Sequence, residues 1–383
     1  MRIAIDCRSV FQGMGGIGQY AWSLVREFAQ LDATNRYVCY FTHLDPPEAL
    51  QLPANFVIRS FQAGMIDERF DQFILPTLLR EDRIDVYHNP TFAVPVVRNG
   101  TRTVATIHDV VFRRHPNLVE PKLRRYLDIA TRRACNSADR LITVSEFSKK
   151  EMVELFEVPP DRVTVISNGV RAPAHLAAPS AQTQRGLMEL GLERHRYALY
   201  VGSVEPKKNI DLLLRGFRSA VDRLAGFDLK LALAGPRGTE PYDVDSRVKE
   251  LGISGCVSLL GFVPSDLLEI LYRSALLFIY PSLYEGFGLP PLEAMARGVP
   301  TIVSNASSLP EVVGDAAILV DPLNPEPLSD AILDLVRDSR RREDLGGKGI
   351  ERAERFSWRR SAKAHLDVYQ SLASSHESRA SGV

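Results

Sequence analysis

The chain has 383 residues, more than one domain usually holds, and can bury two cores. An apolar fraction of 45% and a charged fraction of 25% are ordinary for a globular protein, and Lys plus Arg balances Asp plus Glu at 47 each, so there is no overall pull toward nucleic acid. The four cysteines, Cys7, Cys39, Cys135 and Cys256, form no C-x-x-C pair, which argues against a zinc or redox motif and for reduced, mostly buried thiols in a cytosolic protein.

Taken in chain order, short apolar runs alternate with amphipathic stretches, the pattern of βα units and parallel sheets. The opening Arg2-Ile3-Ala4-Ile5-Asp6 reads as a buried strand over Ile3–Asp6 rather than a secretory signal. A helix over Ile17–Leu31 follows, then strands over Tyr37–Phe41, Asp85–His88 and Thr103–Ile107. Helices are expected at Lys122–Asn136 and at Glu146–Phe156, the second capped by Ser145, with strands at Arg140–Val144 and Val163–Ile166. Between Arg171 and Arg185 the chain turns to Ala, Pro, Ser and Gln without periodicity, as a linker does. The pattern then restarts with strands at Tyr197–Val201, Leu229–Ala234, Val257–Leu260, Leu276–Tyr280 and Pro300–Val303, and helices at Ile210–Ala225 and Pro290–Arg297. No apolar run reaches the roughly 18 residues of a membrane span. Trp358–Leu372 is a last helix, and the residues from Ala373 onward read as frayed. The expected organisation is an N-terminal domain over 1–178, a linker at 179–186, a second domain over 187–355, and a C-terminal helix and tail over 356–383 packing back toward the first domain. Ligands of doubly wound sheets bind at the carboxyl ends of the strands, so chemistry is expected just after strands.

Directly after the strand Leu276–Tyr280 comes Pro281-Ser282-Leu283-Tyr284-Glu285-Gly286-Phe287-Gly288-Leu289-Pro290-Pro291-Leu292-Glu293. Gly286 and Gly288 allow close approach of a ligand to the backbone, and prolines fit the first turn of the helix that follows. Free N–H groups at that helix start suit a diphosphate, and Leu289 just before it is a donor-binding candidate. Glu285 and Glu293, one on the loop and one in the helix, are placed to accept hydrogen bonds from two sugar rings. The bland alternative is an exposed Glu285 and a Glu293 paired with Arg297 one turn on.

With this segment the sequence resembles the retaining glycosyltransferases of family 4, which share the two-domain GT-B fold and an E-x7-E motif. The resemblance covers nearly the whole chain and implies an α/β architecture of two Rossmann-like doubly wound domains facing a central cleft. It implies that Glu285 contacts the transferred sugar near the reacting centre and that Glu293 binds the ribose hydroxyls.

Gly202-Ser203-Val204-Glu205-Pro206-Lys207-Lys208-Asn209 follows another strand. Its lysines sit where a leaving diphosphate needs positive charge, and Lys207 and Lys208 match two basic positions of the family. Many members carry a basic residue directly after the glycine, where this chain has Ser203. The segment Phe11-Gln12-Gly13-Met14-Gly15-Gly16-Ile17-Gly18 is a Gly-rich turn that does not match a dinucleotide fingerprint cleanly. In the family this loop lies near the diphosphate and acceptor, which makes Gly15, Gly16 and Gly18 candidates. His108-Asp109 stands at a strand's carboxyl end, where a His can donate to a hydroxyl or orient a substrate; in the family the matching His faces the donor sugar. Phe262 and Val263 follow a further strand and offer backbone groups to a nucleobase.

The expected reaction is substitution at the anomeric carbon of a nucleotide diphosphate sugar, with Lys207 and Lys208 stabilising the departing diphosphate and Glu285 and His108 positioning the sugar. No residue stands out as a nucleophile, which favours same-face attack over double displacement. No cofactor and no metal are expected; Asp243-Val244-Asp245 spells D-x-D but lies in a charged loop. The basic stretch Arg113, Arg114, Lys122, Arg124, Arg125, Arg132 and Arg133 fits weak peripheral contact with the inner face of the cell membrane, and equally an ordinary solvated helix. The partners are then a nucleotide sugar, with GDP-mannose favoured, and a saccharide or lipid-linked acceptor of polysaccharide assembly. A sugar-nucleotide epimerase of the same fold, a nicotinamide-dependent oxidoreductase and a non-catalytic nucleotide-sugar binder are the rival readings.

Overall fold

A computed structural model of the chain describes residues 1–11, 14–42, 51–62, 64, 67–171, 186–224, 226–238 and 242–380, the last seven by backbone course alone. It divides into two compact units, Met1–Gly169 together with Ser357–Val383, and Val170–Phe356. The linker expected at 179–186 lies, Gly186 apart, outside the described residues.

The first unit carries a seven-stranded sheet of β1 (Arg2–Asp6), β2 (Arg36–Phe41), β3 (Phe56–Ser60), β4 (Val86–Asn89), β5 (Arg102–Thr106), β6 (Arg140–Thr143) and β7 (Val163–Val165), in the order 3-2-1-4-5-6-7. The second carries β8 (Tyr197–Val201), β9 (Lys230–Ala234), β10 (Val257–Gly261), β11 (Leu277–Tyr280), β12 (Thr301–Ser304) and β13 (Ile318–Val320), in the order 10-9-8-11-12-13. All strand pairs in both sheets are parallel. Both sheets therefore reverse direction once, between β1 and β4 and between β8 and β11, and these reversals are the switch points where such sheets bind ligands. The central strands are buried on both faces, which is why they read as unbroken apolar runs.

Two kinds of element escaped the sequence reading. Strand β3 lies at a sheet edge with Val57 and Ile58 exposed, so it lacks a buried run, and β13 is only three residues long. The helix Pro325–Arg337 carries no expectation either, whereas Arg340-Arg341-Arg342, which reads as a solvated helix start, opens the helix Ser339–Ala353. The tail expected to fray from Ala373 instead continues the helix Trp358–Ala380, and residues 381–383 lie outside the described part. The added residues are polar, but no Gly or Pro interrupts them before Gly382, and their Ala, Glu and Arg are good helix formers. No described helix is long and apolar enough to cross a membrane.

In the first unit the helix Trp358–Ala380 is held by a chain of fully buried polar groups. Tyr369 Oη meets His88 Nδ1 at 2.6 Å, His88 Nε2 meets Thr106 Oγ1 at 2.8 Å, and Thr106 Oγ1 meets Tyr20 Oη at 2.9 Å. Tyr20 Oη meets His365 Nε2 at 2.6 Å, and His365 Nδ1 meets the Ser361 carbonyl at 2.7 Å. That carbonyl only accepts, so His365 carries its proton on Nδ1 and accepts at Nε2 from the Tyr20 hydroxyl. Each remaining contact then has its proton only if Thr106 donates to Tyr20, His88 to Thr106, and Tyr369 to His88. The chain runs one way, and both its ends lie on the C-terminal helix.

This arrangement requires neutral imidazoles. Burial, with a smaller contribution from His108, lowers His365 to about 4 despite its bond to Ser361. Burial, with His365 and His108 adding to it, holds His88 well below the usual histidine range. Below pH 6.5 the unfolded chain takes up protons that the folded His365 refuses until about pH 4, so stability falls across that window. For His365 alone the loss is about 3 kcal/mol. Urea unfolding between pH 7 and 4 checks this: His365→Gln should show a shallower pH dependence than the unaltered chain, and an equal slope would refute the assignment.

Candidate active site

In the second unit the loops after β8, β9 and β10 are stitched together by backbone bonds. Gly202 N–H donates to the Ala234 carbonyl at 2.9 Å, Gly235 to Gly261 at 2.8 Å, and Val204 to Pro236 at 2.9 Å. Gly235 has φ +151°, and a Cβ there would stand 2.0 Å from the Gly202 carbonyl oxygen. Only glycine lets these two loops close on each other. Phe262, just past β10, stands 61% exposed, while Val263 is half-buried against the core.

Lys208 closes the single turn Pro206–Lys208, and its ammonium donates to Glu285 Oε1 at 2.6 Å and to Tyr280 Oη at 2.9 Å. Ser282 Oγ donates to the same Glu285 oxygen at 2.6 Å. The ion pair is nearly dry, its side chains 10% and 12% exposed. Burial alone would favour a protonated Glu285, but Lys208, Lys207 and the bond from Ser282 outweigh it and hold the carboxyl below the usual range. Glu285 is thus a fixed anion, and Lys208 a cation already matched. Lys207 is more open, 3.9 Å from Glu205. Ser203 donates to Glu205 at 2.8 Å.

The loop bearing Glu285 has its backbone tied on every side. The Asn209 amide, from a left-handed residue at φ +59°, donates to the Pro281 and Pro322 carbonyls at 3.1 and 2.7 Å. Leu283 N–H donates to the Lys207 carbonyl at 2.9 Å, and Glu285 N–H to Ser307 Oγ at 2.9 Å. Ser308 Oγ lies 2.9 and 3.0 Å from the Glu285 and Phe287 carbonyls. Gly288, at φ +106°, then starts the helix Leu289–Ala296, whose two prolines occupy the first turn. The Phe287 ring is buried edge-on against Phe356 and offers a ligand only its backbone.

Glu293, one turn into that helix, accepts from Tyr272 Oη at 2.9 Å. The bland alternative, Arg297 paired with the Glu293 carboxylate, does not form: Arg297 bonds the Glu269 carboxylate at 2.8 Å and reaches Glu293 only at its main-chain carbonyl. Burial raises the Glu293 pKa, and Arg297 and Tyr272 offset this only in part. Of the D-x-D pair, Asp243 caps the helix Val244–Glu250 and Asp245 pairs with Arg237.

In the first unit His108 follows β5, and its Nε2 lies 2.9 Å from the Pro90 carbonyl. Burial holds its pKa below the usual value, so the ring is neutral with its proton on Nε2. The sequence reading allowed His108 to donate; with Nε2 committed to Pro90, the ring offers Nδ1 as an acceptor. Asp109 accepts from Val111 N–H at 3.0 Å and so supports the loop rather than the imidazole. Of the three loop glycines, an added Cβ would meet nothing at Gly15 or Gly16, but at Gly18 would fall 2.3 Å from the Ser9 carbonyl. Gly18 therefore serves close packing under the loop. Gln12 and Gly13 of this segment lie outside the described residues.

The structure brings Lys208 to Glu285 and adds groups the sequence reading left without roles: Tyr280, Ser282, Asn209, Ser307, Ser308 and Tyr272. Asn209 and Ser282 stood inside the quoted motifs; Tyr272 and the serine pair carry no local signal, because they reach the site only through the fold.

Two Rossmann-ordered parallel sheets, each in its own unit, place a lysine–glutamate pair at the second switch point, where such sheets bind ligands. Residues 189–352 match the family model Glycosyl transferases group 1, and residues 14–173 match Glycosyltransferase Family 4. The O-antigen chain mannosyltransferase B of Escherichia coli is 37% identical over 296 residues, covering 77% of this chain and 76% of its own. Sucrose-phosphate synthase from Thermosynechococcus elongatus superposes with a TM-score of 0.79 at 21% identity, over 98% of this chain and 99% of that one. Anabaena Alr3699/HepE, solved in complex with UDP-glucose, gives 0.76 at 17% identity over 99% and 100%. The chain belongs to glycosyltransferase family 4. The oxidoreductase and epimerase readings give way to this membership.

Gly235→Ala should destabilise the second unit by more than about 1 kcal/mol, since it combines a strained backbone with a backbone clash. Gly255→Ala, where an added Cβ meets nothing within 4 Å, is the control and should stay within about 0.5 kcal/mol. Equal denaturation midpoints for the two variants would contradict the stitched-loop account.

Proposed function

We propose that this glycosyltransferase moves a hexose, with retention and without a bound metal, from a nucleotide diphosphate sugar to a saccharide or lipid-linked acceptor in cell-surface polysaccharide assembly. The observation that carries the reading is the fixed Glu285 anion beside Lys208 and the more open Lys207 at the carboxyl end of β11. The lysines supply the positive charge that a departing diphosphate needs, the task a divalent ion performs elsewhere. Glu285 Oε1 already accepts from Lys208 and Ser282, which suits a group that orients a sugar and stabilises positive charge better than a nucleophile. In the proposed step the anomeric carbon–phosphate oxygen bond breaks, the bond to the acceptor oxygen forms on the same face, and the acceptor proton passes to the leaving phosphate oxygen. Trapping a glycosyl ester on any carboxylate of this chain would overturn that step. The Glu293 carboxylate, bonded at one oxygen by Tyr272, is suited to ribose hydroxyls. Mannose from GDP-mannose is favoured by the 37% identity to the O-antigen mannosyltransferase.

Titrating GDP, UDP and ADP calorimetrically, without metal, into the unaltered protein and Glu293→Ala tests the donor site. One nucleotide should bind well and weaken by about tenfold or more in the variant, as loss of a charged hydrogen bond implies. No binding, or equal binding, would remove the donor pocket from this place.

Peripheral attachment to the inner face of the membrane is part of the same proposal, but the structure moves its support. Arg113 pairs with Asp128, Arg114 with Glu151 and Glu154, and Arg133 with Glu68, so much of the basic stretch is internally matched. Four apolar side chains stand exposed instead, Phe73, Ile74, Val96 and Val97. Gln72 ties their two segments together through Val94 and Val96 at 3.1 and 3.0 Å. The protein should float with vesicles of anionic phospholipid, and Phe73→Ser with Val97→Ser should abolish flotation without lowering the melting temperature. Unchanged flotation would remove this surface from the proposal.

A further inference from the structure

Among the described residues His108 makes one side-chain hydrogen bond, from Nε2 to the Pro90 carbonyl at 2.9 Å. That bond anchors one ring atom, so the direction of the Nδ1 lone pair also depends on what packs against the ring. The Tyr20 ring meets the imidazole edge-to-face, with centroids 4.7 Å apart and planes at 88°. Edge-to-face contact is a directional preference of aromatic rings rather than general apolar packing. Tyr20 is itself immobile: its hydroxyl accepts from Thr106 at 2.9 Å and donates to His365 at 2.6 Å, and it is fully buried. His365 belongs to the helix Trp358–Ala380, so residues more than 250 positions downstream of His108 bear on its ring through one intermediary.

We propose that Tyr20 is a positioning residue for His108, held in place by His365 of the C-terminal helix, so that this helix sets the direction of the acceptor lone pair at the carboxyl end of β5. The proposal rests on the reading of His108 as a group facing the donor sugar. Tyr20 touches no substrate in this account and acts only through His108. Nothing in the family motif requires the device; it follows from the ring geometry and the one-way hydrogen-bond chain. The alternative is that Tyr20 merely fills the core between the helix Gly16–Leu31 and the C-terminal helix.

A kinetic double-mutant cycle separates the two. Turnover of the donor is measured for the unaltered protein, Tyr20→Leu, His108→Ala and the double variant, with nucleotide affinity and melting temperature followed in each. Tyr20→Leu should lower kcat about tenfold with nucleotide affinity unchanged, and should add nothing once His108 is already alanine. The same loss with and without His108 would overturn the proposal. Tyr20→Phe keeps the ring and folds more safely; it should lose part of the effect because the hydroxyl tether is gone. The imidazole ¹⁵N spectrum of His108 gives a second reading that needs no turnover. The bond to Pro90 keeps the proton on Nε2, so the readout is ring motion: the resonances should be sharp in the unaltered chain and exchange-broadened in Tyr20→Leu and His365→Leu. Unbroadened resonances in both variants would refute positioning whatever the kinetics show. A fully active His108→Ala would instead remove the role of His108 in transfer, leaving the spectrum to judge the geometry alone.

Discussion

The rest of the site depends on the ion pair between Lys208 and Glu285, two charges drawn together at 2.6 Å with little water around either. Such a pair is held only when its remaining polar atoms are also satisfied, since breaking one side of a buried pair costs about 3–5 kcal/mol. The surroundings supply part of that. Tyr280 takes a second ammonium proton and Ser282 adds a donor to the carboxylate. The loop that carries Glu285 has too many backbone bonds to drift. In the proposed reaction the pair would serve as a template: a sugar or diphosphate would meet charges already placed, without reorganising the protein.

The two units repeat one sheet order but order their buried polar groups in different ways. The second unit uses full charges on a tightly bonded loop. The first uses neutral imidazoles and hydroxyls, in which proton direction carries the order. The contrast has a physical basis. A charge buried in the first unit would need a partner of its own, as Arg8 does with Asp6 and Asp71. A neutral chain needs only that each donor find an acceptor, and Ser361 supplies the terminus that fixes the direction.

Much of this was legible in the sequence because strands buried on both faces are unbroken apolar runs, and because the loops that matter follow them directly. Glu285, Glu293, Lys207 and Lys208 could be found at their positions for that reason. The edge strand Phe56–Ser60 could not, since one face is exposed and its run is broken. Ser307, Ser308 and Tyr272 were invisible in principle: they come from other strands and helices and gain their roles only when the fold folds them back onto Glu285 and Glu293. The true length of the C-terminal helix was missed because polarity was taken for fraying, although polar residues propagate a helix well when none of them is Gly or Pro.

Glu285 and Glu293 lie on one loop-and-helix segment, yet their surroundings push them in opposite directions. Two lysines pull Glu285 below the usual carboxyl range, while burial lifts Glu293 above it. Carboxyl groups separated in this way are suited to separate tasks. The first is held in its charged form, the form that can orient a sugar in the proposed reaction. The second gains a proton more readily as an apolar or hydroxyl-rich ligand covers it, and it can hydrogen-bond a diol in either form, as acceptor alone or as acceptor and donor. A diol gripped by Glu293 and a sugar oriented by Glu285 therefore do not compete for the same electrostatic condition. On the proposed reading, this lets a single short segment serve both halves of one donor molecule.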